Sequence, residues 1–231
     1  MKKLLLTLLT ALMLNAAWSG PVDDAFAAWA RKDFATVLKI VQPPALKGEA
    51  WAQSWLADAY YNGQGVVQDY AEAVKWLRLS AKQGRASAQF NLGTMYCYGQ
   101  GVVQDYAEAV KWLRLSAKQG NPNAQSLLGT MYYLGRGVVR DFAEAVKWYR
   151  LSAKQGDAVA QYNLGTSYDD GEGVVQDYVR AHSWFNLGAI NGDAEAVRRR
   201  DLVAKRMTPQ QIAQAQKLTR HCQTRNFKGC D

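Results

Sequence analysis

From Gly101 to Gly120 the chain reads GVVQDYAEAVKWLRLSAKQG, and from Gly65 to Gly84 it carries the same letters. From Gly137 to Gly156 it reads GVVRDFAEAVKWYRLSAKQG, with three substitutions, and from Gly173 to Gly192 it reads GVVQDYVRAHSWFNLGAING, a looser copy. Trp76, Trp112, Trp148 and Trp184 mark the step, 36 residues each time. A fixed period of this length denotes stacked supersecondary units, none of which can bury its apolar face alone. Function is then expected in the positions where the copies differ.

One unit shows how the others are built. RASAQFNLGTMYCYG, beginning at Arg85, places Ala88, Leu92, Met95 and Tyr96 at helical spacing. Gly99 and Gly101 end this helix A, because glycine enters the left-handed C-terminal conformation without a Cβ penalty. Val102 and Val103 form a connector. Asp105 is then the predicted N-cap of helix B, with Glu108 three residues on in a capping box. Helix B continues through Ala109, Trp112, Leu113 and Ser116 and closes at Gly120. Gly93, Gly129 and Gly165 recur inside helix A, where glycine costs about 1 kcal/mol. They imply close helix approach, with the tryptophan of helix B packed over each gap.

AQFNLGTMYCYGQGVVQDYAEAVKWLRLSAKQG and AQYNLGTSYDDGEGVVQDYVRAHSWF resemble Sel1-like repeats, relatives of the tetratricopeptide repeat. The resemblance spans 49–192 as four units: 49–84, 85–120, 121–156 and 157–192. It implies an all-α fold, a right-handed α/α solenoid of helix–turn–helix repeats with helix A lining a concave face. It also implies a protein-interaction scaffold, not an enzyme, and gives no cofactor. Residues 20–48 resemble a degenerate N-terminal repeat, a short helix pair with Phe26, Trp29, Phe34 and Leu38 as its apolar set, broken by Pro43-Pro44. Residues 193–231 read as capping helices: a fifth helix A over 193–207, then a helix starting at Thr208-Pro209, with Thr as N-cap and Pro in the first turn.

Residues 1–19 read as a secretory signal peptide. Lys2 and Lys3 precede an apolar run from Leu4 to Leu14, too short to span a bilayer comfortably, and Ala17-Trp18-Ser19 offers a cleavage site before Gly20. An uncleaved anchor is the alternative. The mature chain is expected to be periplasmic or secreted, and a monomer. The formal charge of +8 would fall to +6 on loss of both lysines, a basic excess that bears on association rather than fold. Outside the cytoplasm this excess favours lipid head groups, wall polymers or acidic proteins over nucleic acid. In an oxidising compartment Cys222 and Cys230, eight residues apart, are expected to bridge. Cys97 is left over, in the slot that Tyr61 and Tyr133 hold in neighbouring units.

Catalytic and metal-binding patterns are absent from the reading. His182, taken as replacing a lysine-type position, and His221, beside Cys222, are the two histidines. They show no metal-ligand spacing, and Cys222, His221 and Cys230 are read as a disulfide with a bystander rather than a zinc site. There is no GxSxG, phosphate loop or SxxK. Family resemblance alone raises weak β-lactam binding or hydrolysis as an alternative. Asp169, Asp170 and Glu172 read as a solvated turn. The trios Lys75, Arg78, Lys82; Lys111, Arg114, Lys118; and Lys147, Arg150, Lys154 each share a helix face, so a basic convex strip that adheres to anionic lipid or wall polymer is a second alternative. The favoured site is the concave groove, whose helix A slots include Trp51, Tyr61, Phe90, Thr94, Tyr98, Tyr133, Tyr162 and Asp169. Its predicted partner is a protein or peptide, because rings bury area while hydroxyls and amides bond backbone. Packing of these rings against adjacent helices is the alternative.

Overall fold

The computed structural model describes residues 20–225, 227 and 230. The expected signal peptide lies outside them. Every regular element among the described residues is a helix. The chain divides into two compact units, Met1–Arg85 and Ala86–Asp231.

The first unit holds α1 (Pro21–Ala30), α2 (Phe34–Leu46), α3 (Ala50–Asn62) and α4 (Tyr70–Lys82). Its core is made of small and branched side chains: Ala25, Ala28, Val37, Val41, Ala45, Ala52 and Leu56. Of the apolar set expected there, Leu38 packs against this core, but Phe26 and Trp29 face elsewhere. Phe26 and Trp29 are 59% and 47% exposed, because α1 turns its alanine stripe inward and its rings toward a surface cavity. Pro43 and Pro44 do not break α2 but lie within its last turns. Each proline lacks the N–H that a helical residue donates to the carbonyl four residues back, but its own carbonyl still accepts: Lys47 N–H donates to Pro43 O and Glu49 N–H to Pro44 O.

The second unit runs α5 (Ala86–Tyr98), α6 (Tyr106–Lys118), α7 (Pro122–Leu134), α8 (Phe142–Ala153), α9 (Ala158–Asp170), α10 (Tyr178–Ile190), α11 (Ala194–Ala204) and α12 (Pro209–Thr224). Successive helices pack pairwise as far as α11, whereas α12 returns to pack on α10. Asp105, Asp141 and Asp177 cap their B helices as expected, each accepting from the backbone N–H three residues on. The capping box at Asp105 is not completed. Glu108 instead takes Lys111 Nζ at 2.7 Å and Trp112 Nε1 at 3.0 Å, since the following turn offers a cation and an indole donor. A complete capping box forms at Thr208 and Gln211.

The helix A glycines do mark close approach, but tryptophan is not what fills the gap. A Cβ on Gly93 would lie 2.8 Å from Leu113, one on Gly129 2.7 Å from the Tyr149 ring, and one on Gly165 2.7 Å from the Phe185 ring. Each partner is the residue after the tryptophan. One residue turns the direction by about 100° on a helix, so adjacent bulky residues cannot both face the glycine. Gly137 and Gly173, both at positive φ, have a different reason: a side chain would collide with the carbonyl of Tyr106 or Phe142 one repeat earlier.

Side-chain amides stitch the repeats, and three of them, Gln89, Gln125 and Gln161, are buried. Gln119 Nε2 donates to Gln89 Oε1, and Gln155 Nε2 to Gln125 Oε1, each at 2.8 Å. Asn191 Nδ2 donates to Gln161 Oε1 at 2.9 Å. Across the joint between repeats, Gln125 Nε2 donates to Ala117 O at 3.0 Å and Gln161 Nε2 to Ala153 O at 3.1 Å. Buried polar groups are tolerated only when paired in this way.

The last helix B differs where α12 covers it. Stepping back by 36 sets Ser183 against Lys147 and His182 against Val146, so His182 is not at a lysine-type position. It is buried, which with nearby Arg200 holds its imidazole below the ordinary histidine range. The Ser183 and Thr219 hydroxyls bond at 3.1 Å. Cys222 and Cys230 form a disulfide, with Cα atoms 5.2 Å apart, and Phe227 joins the core cluster around Trp184 and Leu187.

Candidate functional site

The expected groove slots in the second unit converge. On α5, Phe90, Thr94 and Tyr98 share a cavity of about 260 Å³ with Asn123, Ser126 and Thr130 of α7. One repeat further, Thr130, Tyr133 and Leu134 share a cavity of about 320 Å³ with Tyr162 and Thr166 of α9 and Arg199 of α11. Thr130 belongs to both, so the two cavities form one tract across the A helices. Helical phase produces this: positions 90, 94 and 98, and their counterparts 36 and 72 residues on, recur every turn on one face of helix A, beside the helix B contact, so that Tyr149 and Phe185 of the B helices reach Thr130 and Tyr162.

The hydroxyls of this tract are set to accept. Thr94, Thr130 and Thr166 each donate to the carbonyl four residues back, at 3.0, 3.1 and 3.2 Å. Their donor is thereby used while lone pairs remain for an incoming N–H. Tyr149 also donates to Thr130 Oγ1 at 3.3 Å, and burial pushes its phenol up to about 12. A hydrogen bond to Glu172, helped by burial, pushes Tyr133 up to about 12 as well. Both phenols stay neutral donors across the physiological range. Tyr98 is 66% exposed, with Leu134 and Val159 also open to solvent.

Four expected residues lie elsewhere. Trp51 donates its indole N–H to Glu49 at 2.7 Å and Tyr61 packs on Tyr70 with ring centroids 5.2 Å apart, both in the first unit. Cys97 is buried, and burial pushes its thiol up to about 11. Asp169 is only 4% exposed and pairs with Arg206. The acidic end of α9 is therefore only in part a solvated turn: Arg206 from the α11–α12 connection compensates buried Asp169, whereas Asp170 stays exposed, its carboxyl raised by partial burial with Asp169 and Glu172 nearby. The sequence reading missed Tyr149, Asn163 and Arg199. Arg199 falls 36 residues after Asn163, and since Asn163 was not among the expected slots, extending those slots into the fifth helix A would not have found it.

The basic trios are partly compensated. Lys75, Lys111 and Lys147 pair with Glu72, Glu108 and Glu144 at 2.9, 2.7 and 2.8 Å. Arg114 and Arg150 reach the hydroxyls of Tyr132 and Tyr168 on the next helix A at 2.8 and 3.1 Å. Among the described residues, no group of three or more His, Cys, Asp or Glu side chains could hold a metal ion, and no helix is long and apolar enough to cross a membrane.

The Sel1 repeat profile matches residues 52–84, 86–121, 122–157 and 158–193. The crystal structure of c5321, a protective antigen of uropathogenic Escherichia coli with an SLR fold, is 35% identical with a TM-score of 0.72, and the match covers 81% of this chain. This chain spans 42% of the antigen's length. A Sel1 repeat protein from Oxalobacter formigenes is also 35% identical, with a TM-score of 0.71, over 76% of this chain and 71% of that one. The immunity protein Pa5087 of Pseudomonas aeruginosa shares the fold alone, at 20% identity and a TM-score of 0.52 over 90% of this chain and 83% of its own. Among curated proteins none matches. Sel1 repeats commonly serve as protein-interaction scaffolds and are generally non-catalytic. Four matched repeats on an all-helical solenoid make this chain a member of the Sel1 repeat family.

Proposed function

We propose that this protein binds an extended polypeptide along the A helices of its second unit. The observation that carries this reading is the pair of cavities joined at Thr130. One repeat step separates them, so one ligand can place successive side chains into both. Tyr98, Phe90 and Tyr162 supply apolar walls, and the threonine oxygens accept ligand backbone N–H groups. At the far end Arg199 stands with Asp170 and Glu172, so the charge there is mixed. Residues 1–19 and the Cys222–Cys230 bridge support action in a bacterial envelope or outside the cell.

The test is affinity capture from envelope extract and from culture medium. The comparison is between the native chain and a Tyr98→Ala/Tyr162→Ala variant shown to be equally helical. A partner retained by the native chain and lost by the variant is expected. Equal recovery by both would sink the proposal.

A further inference from the structure

We propose that the cleft between α10 and α12 is a second binding site and that it takes a phosphate ester. The cleft, about 540 Å³, has Val179 and Leu218 as its apolar wall. Arg180 of α10 and Gln214, Lys217 and His221 of α12 bring N–H donors to it, and Asp177 is the one acid among its described lining residues. Lys217 and His221 lie four residues apart and so share a face of α12.

The chain gathers its positive charge in this region. Residues 193–231 carry nine Lys and Arg against four Asp and Glu, whereas residues 20–192 carry 17 against 16. Helix α12 itself has Lys217, Arg220 and His221 and no Asp or Glu. The B helices of the first three repeats are built otherwise. Lys75, Lys111 and Lys147 each pair with a glutamate three residues earlier. Three residues before Lys217 stands Gln214, a neutral amide that donates where those glutamates accept. Asp177 does not take the glutamate's place. It caps α10, accepting from the Arg180 backbone N–H at 2.9 Å, and it takes Arg180 Nη1 at 2.9 Å. The Asp177–Arg180 pair is neutral as a unit, so the net charge of the lining is that of Lys217.

This lining selects by charge and by shape. A cation would meet Lys217, and an apolar ligand would strip water from the ammonium without a counter-charge. An anion meets donors from four side chains: the Lys217 ammonium, the His221 imidazole, the Gln214 amide, and the Arg180 nitrogens not spent on Asp177. Donors spread over several side chains suit the tetrahedral oxygens of a phosphate, whereas a planar carboxylate is matched by one bidentate arginine. Val179 and Leu218 then cover the organic part of the ester. The cleft lies within the usual size range for small-molecule sites. It shares no residue with the tract of the second unit, so either site can fail without the other.

Two assays of the full chain at low ionic strength test this. One is calorimetric titration with glycerol phosphate and with acetate. The other is co-sedimentation with vesicles of phosphatidylcholine, with and without an equal part of phosphatidylglycerol. Glycerol phosphate is expected to bind about tenfold more tightly than acetate. The double variant Lys217→Gln/His221→Gln is expected to remove that preference while melting as the native chain does, because both side chains are exposed. Lys118→Gln, which removes the same charge from an exposed position at the end of α6, is expected to change nothing, as is Tyr98→Ala/Tyr162→Ala. Binding to phosphatidylglycerol vesicles that is lost in the double variant assigns the ester to a lipid head group. Vesicle binding that is absent, or indifferent to the double variant, assigns it to a soluble phosphate ester. No binding in either assay, equal affinity for acetate, or an equal loss on Lys118→Gln overturns the proposal.

Discussion

Gly129 shows how far a single residue can be read. Its recurrence inside helix A announces close packing, but the sequence does not say whether Trp148 or Tyr149 lies over it. Helical phase decides, and phase depends on where α8 begins. The structure gives Tyr149, with a rigid ring 2.7 Å from where a Cβ would be. Gly129→Ala, which on an exposed helix would stabilise by about 1 kcal/mol, is instead expected to destabilise by about 1–2 kcal/mol through overpacking. Gly93→Ala is expected to cost less, because Leu113 can change rotamer. Urea midpoints of the two variants check this order. Asp58 gives a prediction with pH. Burial pushes its carboxyl up to about 6, above the 3.8 of a free aspartate, with Arg85 pulling the other way, so the folded state holds the proton more tightly. The stability this contributes is present at 3.8 and below and is lost as pH rises through 6. Asp58→Asn should therefore raise stability at neutral pH, on the order of 1 kcal/mol after allowance for solvent in the cavity. Melting temperatures of variant and native chain should converge as the pH falls to 3.8.

Helix α12 is an element half visible in advance. Thr208 and Pro209 announce its start, and its capping box forms as that chemistry requires. The face it covers was legible too, though overlooked: only in the fourth helix B does a serine, Ser183, replace the lysine of the other copies. A charge would be stranded beneath α12. The covering shows at Leu187, 1% exposed where its counterpart Leu151 is 48% exposed. The disulfide closes a loop of eight residues behind α12, and its removal by Cys222→Ser and Cys230→Ser is expected to cost about 2.5 kcal/mol in the chain-entropy model. Loosening of α12 would admit water to Trp184, so red-shifted tryptophan emission before global unfolding is the companion readout. The first helix pair was read less well, because composition alone does not reveal that alanines rather than phenylalanine and tryptophan form its core.

At the scale of the molecule, period and architecture were legible because repetition multiplies a weak local signal fourfold. The candidate site was legible only in part. The slots at 90, 94, 98, 133 and 162 line the tract, since helix A keeps its phase through the second unit. Cys97 and Asp169 do not, because a slot named by register alone ignores which side the next helix occupies.

The amide joints have a consequence for heredity. Gln119, Gln155 and Asn191 each reach 30 residues back, and Gln125 and Gln161 each reach 8 back, with the same chemistry at each joint. One copy can therefore be lost without inventing a new junction. Excision of residues 121–156 joins Gly120 to Asp157 and leaves Ala117 O where Gln161 formerly met Ala153 O. The shortened chain is expected to fold, with cooperative thermal unfolding by circular dichroism at a lower midpoint, whereas excision of half a unit should abolish the transition. Near-identical segments are also the substrate that unequal recombination needs. The gene for such a chain can lengthen or shorten in whole repeats, and the reach of the proposed tract would change with copy number rather than by point mutation.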